Sequence, residues 1–115
     1  MPPGRFSGQP LRGSAPLFAA LGDPTRLQLV ARLSAGEPLS ITRLAAGTRV
    51  TRQAVTKHLH VLARARLVRA TRQGREQLWE LNPRQVDEAR RSLDAISRQW
   101  DSALARLKAS LETEA

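Results

Sequence analysis

At 115 residues the chain is the size of one small domain, whose core alone would be marginal. It has no cysteine, which removes disulfides, thiolate metal ligands and a cysteine nucleophile. The net charge of +9 lies in the middle third: residues 38–75 carry eight Arg and Lys57 without one acid, while residues 1–37 sum to +2 and residues 76–115 to −2.

A solvated face mixes signs, so an acid-free run of this length is the footprint expected for a phosphate backbone. The use of 17 Arg against 2 Lys reflects a compositional bias, but such a bias does not remove acids. Nothing resembles a signal peptide and no apolar run approaches membrane-spanning length, so a cytoplasmic protein is expected.

Residues 1–13, MPPGRFSGQPLRG, are rich in Pro and Gly, with Phe6 and Leu11 isolated. They are expected to form a flexible tail, with a basic arm through Arg5 and Arg12 as the alternative. The ordered domain is then 14–115. Ser14 is expected to cap a first helix carrying Leu17, Phe18 and Leu21, with Gly22 at its end. Asp23 and Pro24 supply an N-cap acceptor and a proline at the first helical position. That second helix should run to about Ala35, with Leu27, Val30 and Leu33 inward and Gly36 beyond it.

Ser40 should cap a third helix, with Ile41, Leu44 and Ala45 inward and Gly47 at its end. Thr51 should cap a fourth, running to about Arg66. Two helices joined by a short Gly-containing turn outline a helix-turn-helix over residues 40–66. The period then changes to two over 67–81. LVRATR and EQLWEL read as strands joined by a turn at Gln73 to Arg75, a hairpin with Gly74 at its tip. The fold class is therefore mainly α with a small β-hairpin.

Asn82 and Pro83 should open a last helix reaching about Glu112. Val86, Ala89, Leu93, Ile96, Trp100, Ala103 and Leu107 recur in steps of three and four, widened by Leu104 and Leu111. The pairs Asp87–Arg91, Arg90–Asp94 and Asp94–Arg98 lie on the other side. The small body offers few large apolar partners for so long a seam, so a homodimer through 83–112 is expected. A packed Trp100 is the reading preferred over an effector pocket there.

The stretches FAALGDPTRLQLVARLSAGE, RLAAGTRVTRQAVTKHLHVLARARLV and RQGREQLWEL together resemble the ArsR/SmtB-type winged helix-turn-helix repressors, over about residues 15–82. The resemblance implies a symmetric homodimer on a promoter operator. It puts the first helix, 14–22, beside the last in the dimer interface, with Phe18, Leu93, Ile96, Trp100, Leu104 and Leu107 as its apolar contacts. It places the fourth helix in the major groove and the hairpin as a wing on flanking backbone. It also implies an effector, which the residues leave unidentified.

Many such proteins sense metals. The Cys-x-Cys pair of one family site falls on Ser40 and Thr42, weak neutral oxygens, and the last helix has no histidine for another. No metal site and no cofactor are expected.

The two histidines, His58 and His60, lie about 200° apart on a helical wheel, so one helix cannot offer both to one ion. His58 falls on the shoulder of the Val55–Leu59–Leu62 stripe, as a partly buried imidazole bonded to a carbonyl or a neighbouring side chain. His60 falls on the outer face, solvated or close to a phosphate. Arg52, Gln53, Thr56 and Lys57 occupy the first two turns of that face, where a recognition helix reaches base edges. Arg and Lys suit guanine, Gln suits adenine, and Thr can meet a thymine methyl. Each could instead hold phosphate. Thr51 caps the helix, whose first N–H groups can meet a phosphate. Arg72, Gln73 and Arg75 suit a wing on phosphate or minor groove.

No carboxylate pair, nucleophile–base set or phosphate-cradling glycine loop is visible, so an enzyme is not expected. The expected partner is double-stranded DNA. A nonspecific nucleic-acid binder, or a protein-interaction module using the basic helix, stays open. RNA is disfavoured by two Trp, two Phe and no Tyr for stacking.

Overall fold

A computed structural model describes residues 9–114. Its elements are α1 (Gln9–Leu21), α2 (Pro24–Leu33), α3 (Ile41–Ala46), α4 (Arg52–Arg64), β1 (Val68–Gln73), β2 (Glu76–Leu81) and α5 (Pro83–Glu114).

Side-chain caps set three helix starts. Asp23 Oδ2 accepts from the Arg26 amide at 3.0 Å, Ser40 Oγ from the Arg43 amide at 3.2 Å and Thr51 Oγ1 from the Ala54 amide at 3.1 Å. Each satisfies one amide that the helix itself leaves unpaired, worth about 1 kcal/mol. Asn82 Oδ1 likewise accepts from the Arg84 amide at 3.2 Å at the start of α5.

The beginning of α1 departs from expectation. The helix starts at Gln9, so Ser14 is an interior residue and not a cap. Pro16 lies inside it and removes one intrahelical hydrogen bond. Tertiary packing offsets that loss: Leu17 and Ala20 are buried, and Ser14 Oγ lies 2.5 Å from Ser92 Oγ of α5. A Pro- and Gly-rich composition could not show this. Of the expected tail, residues 1–8, including Arg5, lie outside the described residues, as does the side chain of Arg12.

Leu17, Leu29, Leu44, Val55, Leu59, Leu62 and Leu67 form the solvent-free centre of the core. Leu33, Val68 and Trp79 close it. On α2 the buried positions are Leu29 and Leu33, whereas Leu27 is 52% exposed. The expected stripe is thus rotated. Arg26, Leu29, Val30 and Leu33 share the inner face, because Arg26 Nε donates to the Ala20 carbonyl of α1. Arg32, at the end of α2, caps another helix. Its Nη1 donates to the Arg43 and Leu44 carbonyls at 2.9 and 3.0 Å, passing over Gly47 so closely that a Cβ there would collide with the guanidinium.

α4 ends two residues before its expected limit. The Leu67 amide donates to the Leu62 carbonyl and the Arg66 amide to the Ala63 carbonyl, the double bond of a Schellman cap. Arg66 therefore takes φ 64°, a left-handed conformation that disfavours a Cβ. Arg66→Gly should raise stability by about 0.5–1 kcal/mol, read as a higher urea midpoint at unchanged slope. An unchanged or lower midpoint would mean that the Arg66 side chain contributes as much as the strain removes.

β1 and β2 pair antiparallel from Val68↔Leu81 to Gln73↔Glu76. Gln73 thus belongs to the ladder, and the loop is Gly74 and Arg75. Gly74 has φ 63°, which a two-residue hairpin loop needs at its first position. Leu39 adds a short bridge that the sequence pattern did not show: its amide and carbonyl pair with those of Trp79 at 2.9 and 2.8 Å. The bridge ties the α2–α3 connection to the hairpin.

α5 has 32 residues, about 48 Å of helix. Its first half is held to the body by the Ser14–Ser92 contact and by Gln85 Nε2 donating to the Ala65 carbonyl at 2.9 Å. Every residue from Trp100 to Thr113 is exposed. On its outer side Asp87 gathers both Arg90 at 2.9 Å and Arg91 at 3.2 Å. Arg90 therefore pairs one turn back with Asp87, not forward with Asp94. Among the described residues no helix is long and apolar enough to cross a membrane.

Candidate nucleic-acid interface

The capped start of α4 presents Arg52, Gln53 and Lys57, all exposed, on the side away from Val55, Leu59 and Leu62. Arg52, Gln53 and Thr56 join Ile41 of α3 in lining one open groove. Ile41, expected to face inward, is only half-buried; its place on this rim follows from the angle between α3 and α4, which one-dimensional periodicity does not contain. The Thr56 hydroxyl donates to the Arg52 carbonyl at 2.8 Å. Its donor is therefore engaged, and toward a partner it offers a methyl group and an acceptor. Thr51 Oγ1 is engaged in its cap, while other amides of the first turn point forward.

The hairpin divides its residues by the alternation of strands. Arg72 pairs with Gln77 and shares a face with Trp79, the face turned to the core. Gln73 lies on the opposite face, and Arg75 is in the loop. All four wing residues, Arg72, Gln73, Arg75 and Gln77, are exposed. Ala70, Thr71, Arg72 and Gln77 line a second shallow groove. Gln77 was missed from sequence; the register of a two-residue loop would have paired it with Arg72. Arg69 is matched across the ladder by Glu80 at 2.8 Å, so it is compensated within the chain.

The histidines separate as their wheel positions require. His60 is exposed, and its ring lies 6.2 Å from that of Trp79, tilted by 54°. It is thus placed against the wing as well as on the outer face. Beneath it Trp79 is buried, and its indole N–H has no hydrogen-bond partner. His58 is half-buried, with Nδ1 3.3 Å from Arg26 Nη1 and 3.9 Å from Asp23 Oδ2. The hydrogen bond from the Arg26 amide, foremost, holds the Asp23 carboxyl below its ordinary range; desolvation opposes it, and the nearby Arg26 charge adds a lesser lowering.

Of the expected interface side chains, Leu93, Trp100, Leu104 and Leu107 are between 54% and 64% exposed. Ile96 is half-buried, and it lines a shallow depression on α5 with Gln99, Trp100 and Ala103. Phe18 is partly buried against the core.

The family metal sites do not fit these residues. Ser40 Oγ is the α3 cap, Thr42 is an exposed hydroxyl, and α5 has no imidazole. Among the described residues no three His, Cys, Asp or Glu side chains gather as a metal site would require.

The family model described as a helix-turn-helix domain matches residues 21–71. The HTH-type transcriptional regulator Rv2034 of Mycobacterium tuberculosis is 39% identical over 87 residues, covering 76% of this chain and 78% of that protein. A transcriptional repressor SmtB homolog of Synechocystis sp. is 40% identical over 67 residues, 58% of this chain and 50% of its own length. An ArsR-like transcriptional regulator from Rhodococcus sp. RHA1 superposes with a TM-score of 0.71 at 34% identity, covering 85% of this chain and 92% of the other. With the capped basic helix, the hairpin and the long last helix, these likenesses place the chain in the ArsR/SmtB family of winged helix-turn-helix transcriptional regulators.

Proposed function

We propose that the protein is a homodimeric repressor that reads an inverted-repeat operator in the cytoplasm and does not respond to metal through the usual family sites. The observation that carries this is the reading face of α4. Arg52, Gln53 and Lys57 are exposed together on a rigid, capped helix, within a stretch that has no acid to repel phosphate. Gln53 and Thr56 among these cations favour base readout over a purely electrostatic grip. Thr51 and the first-turn amides would meet a phosphate. His60, Arg72, Gln73 and Arg75 would follow the backbone or minor groove.

The homodimer rests on α5, whose stripe of Leu93, Trp100, Leu104, Leu107 and Leu111 is left largely exposed among the described residues. With Ile96 and, from α1, Phe18, this stripe would seat on a second copy. A two-fold dimer would present two α4 helices to half-sites about 34–36 Å apart.

The test begins with selection of bound duplexes from a random pool, followed by salt titrations on the selected and a scrambled duplex. Gln53→Ala should cost about 1–3 kcal/mol on the selected site and relax preference at one position per half-site. Arg75→Ala should weaken both duplexes alike and lower the salt slope by about one unit per lost phosphate contact. Zinc or chelator should leave the wild-type curves within about twofold, under roughly 0.4 kcal/mol. Equal wild-type affinity for the two duplexes at physiological salt would replace this reading with nonspecific binding.

A further inference from the structure

Arg26 joins three elements at one point. Its Nε donates to the Ala20 carbonyl at the end of α1 at 2.5 Å. Its amide donates to the Asp23 cap, and its Nη1 lies 3.3 Å from Nδ1 of His58 on α4. A guanidinium has only donors and keeps its charge in proteins, so Nδ1 must be the acceptor. The contact therefore requires a neutral His58 with its proton on Nε2.

Asp23 Oδ2 stands 3.9 Å from the same nitrogen, too far for a hydrogen bond but within reach of an ion pair. A proton added to this imidazole enters at Nδ1. There it destroys the acceptor, sets two cations against each other and draws the ring toward Asp23. Among the described residues, Asp23 and Arg26 are the charged groups that face the ring. α1 contributes the Ala20 carbonyl through Arg26, and on α4 the positions three and four residues away are Ala54, Val55, Val61 and Leu62.

We propose that His58 is a positioning residue that locks α4 to the α1–α2 corner through Arg26, and that its protonation releases the lock and lowers operator affinity. This rests on α4 being the DNA-reading helix. α1 packs on α5, the proposed dimer helix, so the corner that holds Arg26 also links α4 to its twin. Two α4 helices must match two grooves at one spacing, and exchanging Arg26 for Asp23 at His58 changes how α4 is held against α1.

The chain has two histidines and no cysteine, and histidine is the side-chain type whose ordinary charge change falls between about pH 5 and pH 8, so both histidines have to be controlled in the test. The two have opposite signs. A proton on His60, exposed on the reading side, favours phosphate and strengthens binding. A proton on His58 weakens it. Affinity is therefore to be measured in the His60→Ala background, on the selected and scrambled duplexes. From about pH 8 to pH 5.5 the selected duplex should lose at least about fivefold, within the tenfold per pH unit that one linked proton per site allows.

Adding His58→Asn puts an amide oxygen where Nδ1 stood, with nothing to titrate. Affinity at pH 8 should persist, and the acid loss should shrink to within about twofold. An undiminished acid loss in this double variant, or a flat profile with His58 intact, would refute the lock. Nitrogen NMR of the wild-type imidazole near pH 8 gives a readout without DNA: it should show an unprotonated Nδ1, and a protonated Nδ1 would refute the Arg26 contact. Failure of the operator reading itself appears separately, as equal binding of the two duplexes at pH 8 before any acid is added.

Discussion

Replacing Ile96 and Trp100 together by Asp is expected to leave the protein monomeric in sedimentation at concentrations where the wild type is a dimer. Both residues lie on the apolar side of α5, Trp100 with 64% of its surface exposed in the single chain. Against a second copy each carboxylate would be buried without a partner, a penalty of several kcal/mol per interface. The exposed leucines on either side would then have no cover, so the half of α5 beyond Trp100 should also lose helix, visible by circular dichroism. Ser102→Asp, on the opposite side of the same turns, should change neither property. Operator affinity should fall steeply in the double variant, because one half-site no longer holds the second in place. A dimer of unchanged melting temperature would show that the α5 stripe is not the contact between copies.

The second large effect separates two leucines on one helix. Leu29 has no exposed surface, whereas Leu27 is 52% exposed. Leu29→Ala should cost about 2–5 kcal/mol, the loss of a core side chain plus the cavity it leaves. Leu27→Ala should stay within about 0.5 kcal/mol, since a surface change touches little. The two substitutions make the same small change in helix propensity, so the difference between their urea midpoints reports burial alone. Equal losses would place Leu27 in a contact made with another molecule.

This pair also shows where sequence reading stops. Leu27, Leu29, Val30 and Leu33 support more than one inward stripe, because a short helix with apolar residues on adjacent positions has no unique phase. The tie is broken by Arg26 reaching Ala20 and His58, contacts that exist only after α1, α2 and α4 meet. His58 itself was legible: its wheel position beside Val55 and Leu59 required a half-buried imidazole with a polar neighbour. Which neighbour, and therefore which tautomer, was not, because Arg26 lies 32 positions away in the chain.

Local chemistry was sufficient for much of the architecture. Asp23, Ser40, Thr51 and Asn82 begin their helices because a side-chain oxygen can satisfy an amide within three residues of it. Gly74 marks the hairpin because a two-residue loop needs a positive φ there. The acid-free run and the three–four seam of α5 are likewise properties of order along the chain, and they carried the expected partners. Tertiary structure decided what depends on distant groups. Gln9 rather than Ser14 begins α1, since packing on α5 outweighs an internal proline. Leu39 pairs with Trp79, and Arg26 faces His58. Each of these depends on contacts beyond the reach of local pattern, where the energy of a contact outweighs local preference and periodicity carries no record of the partner.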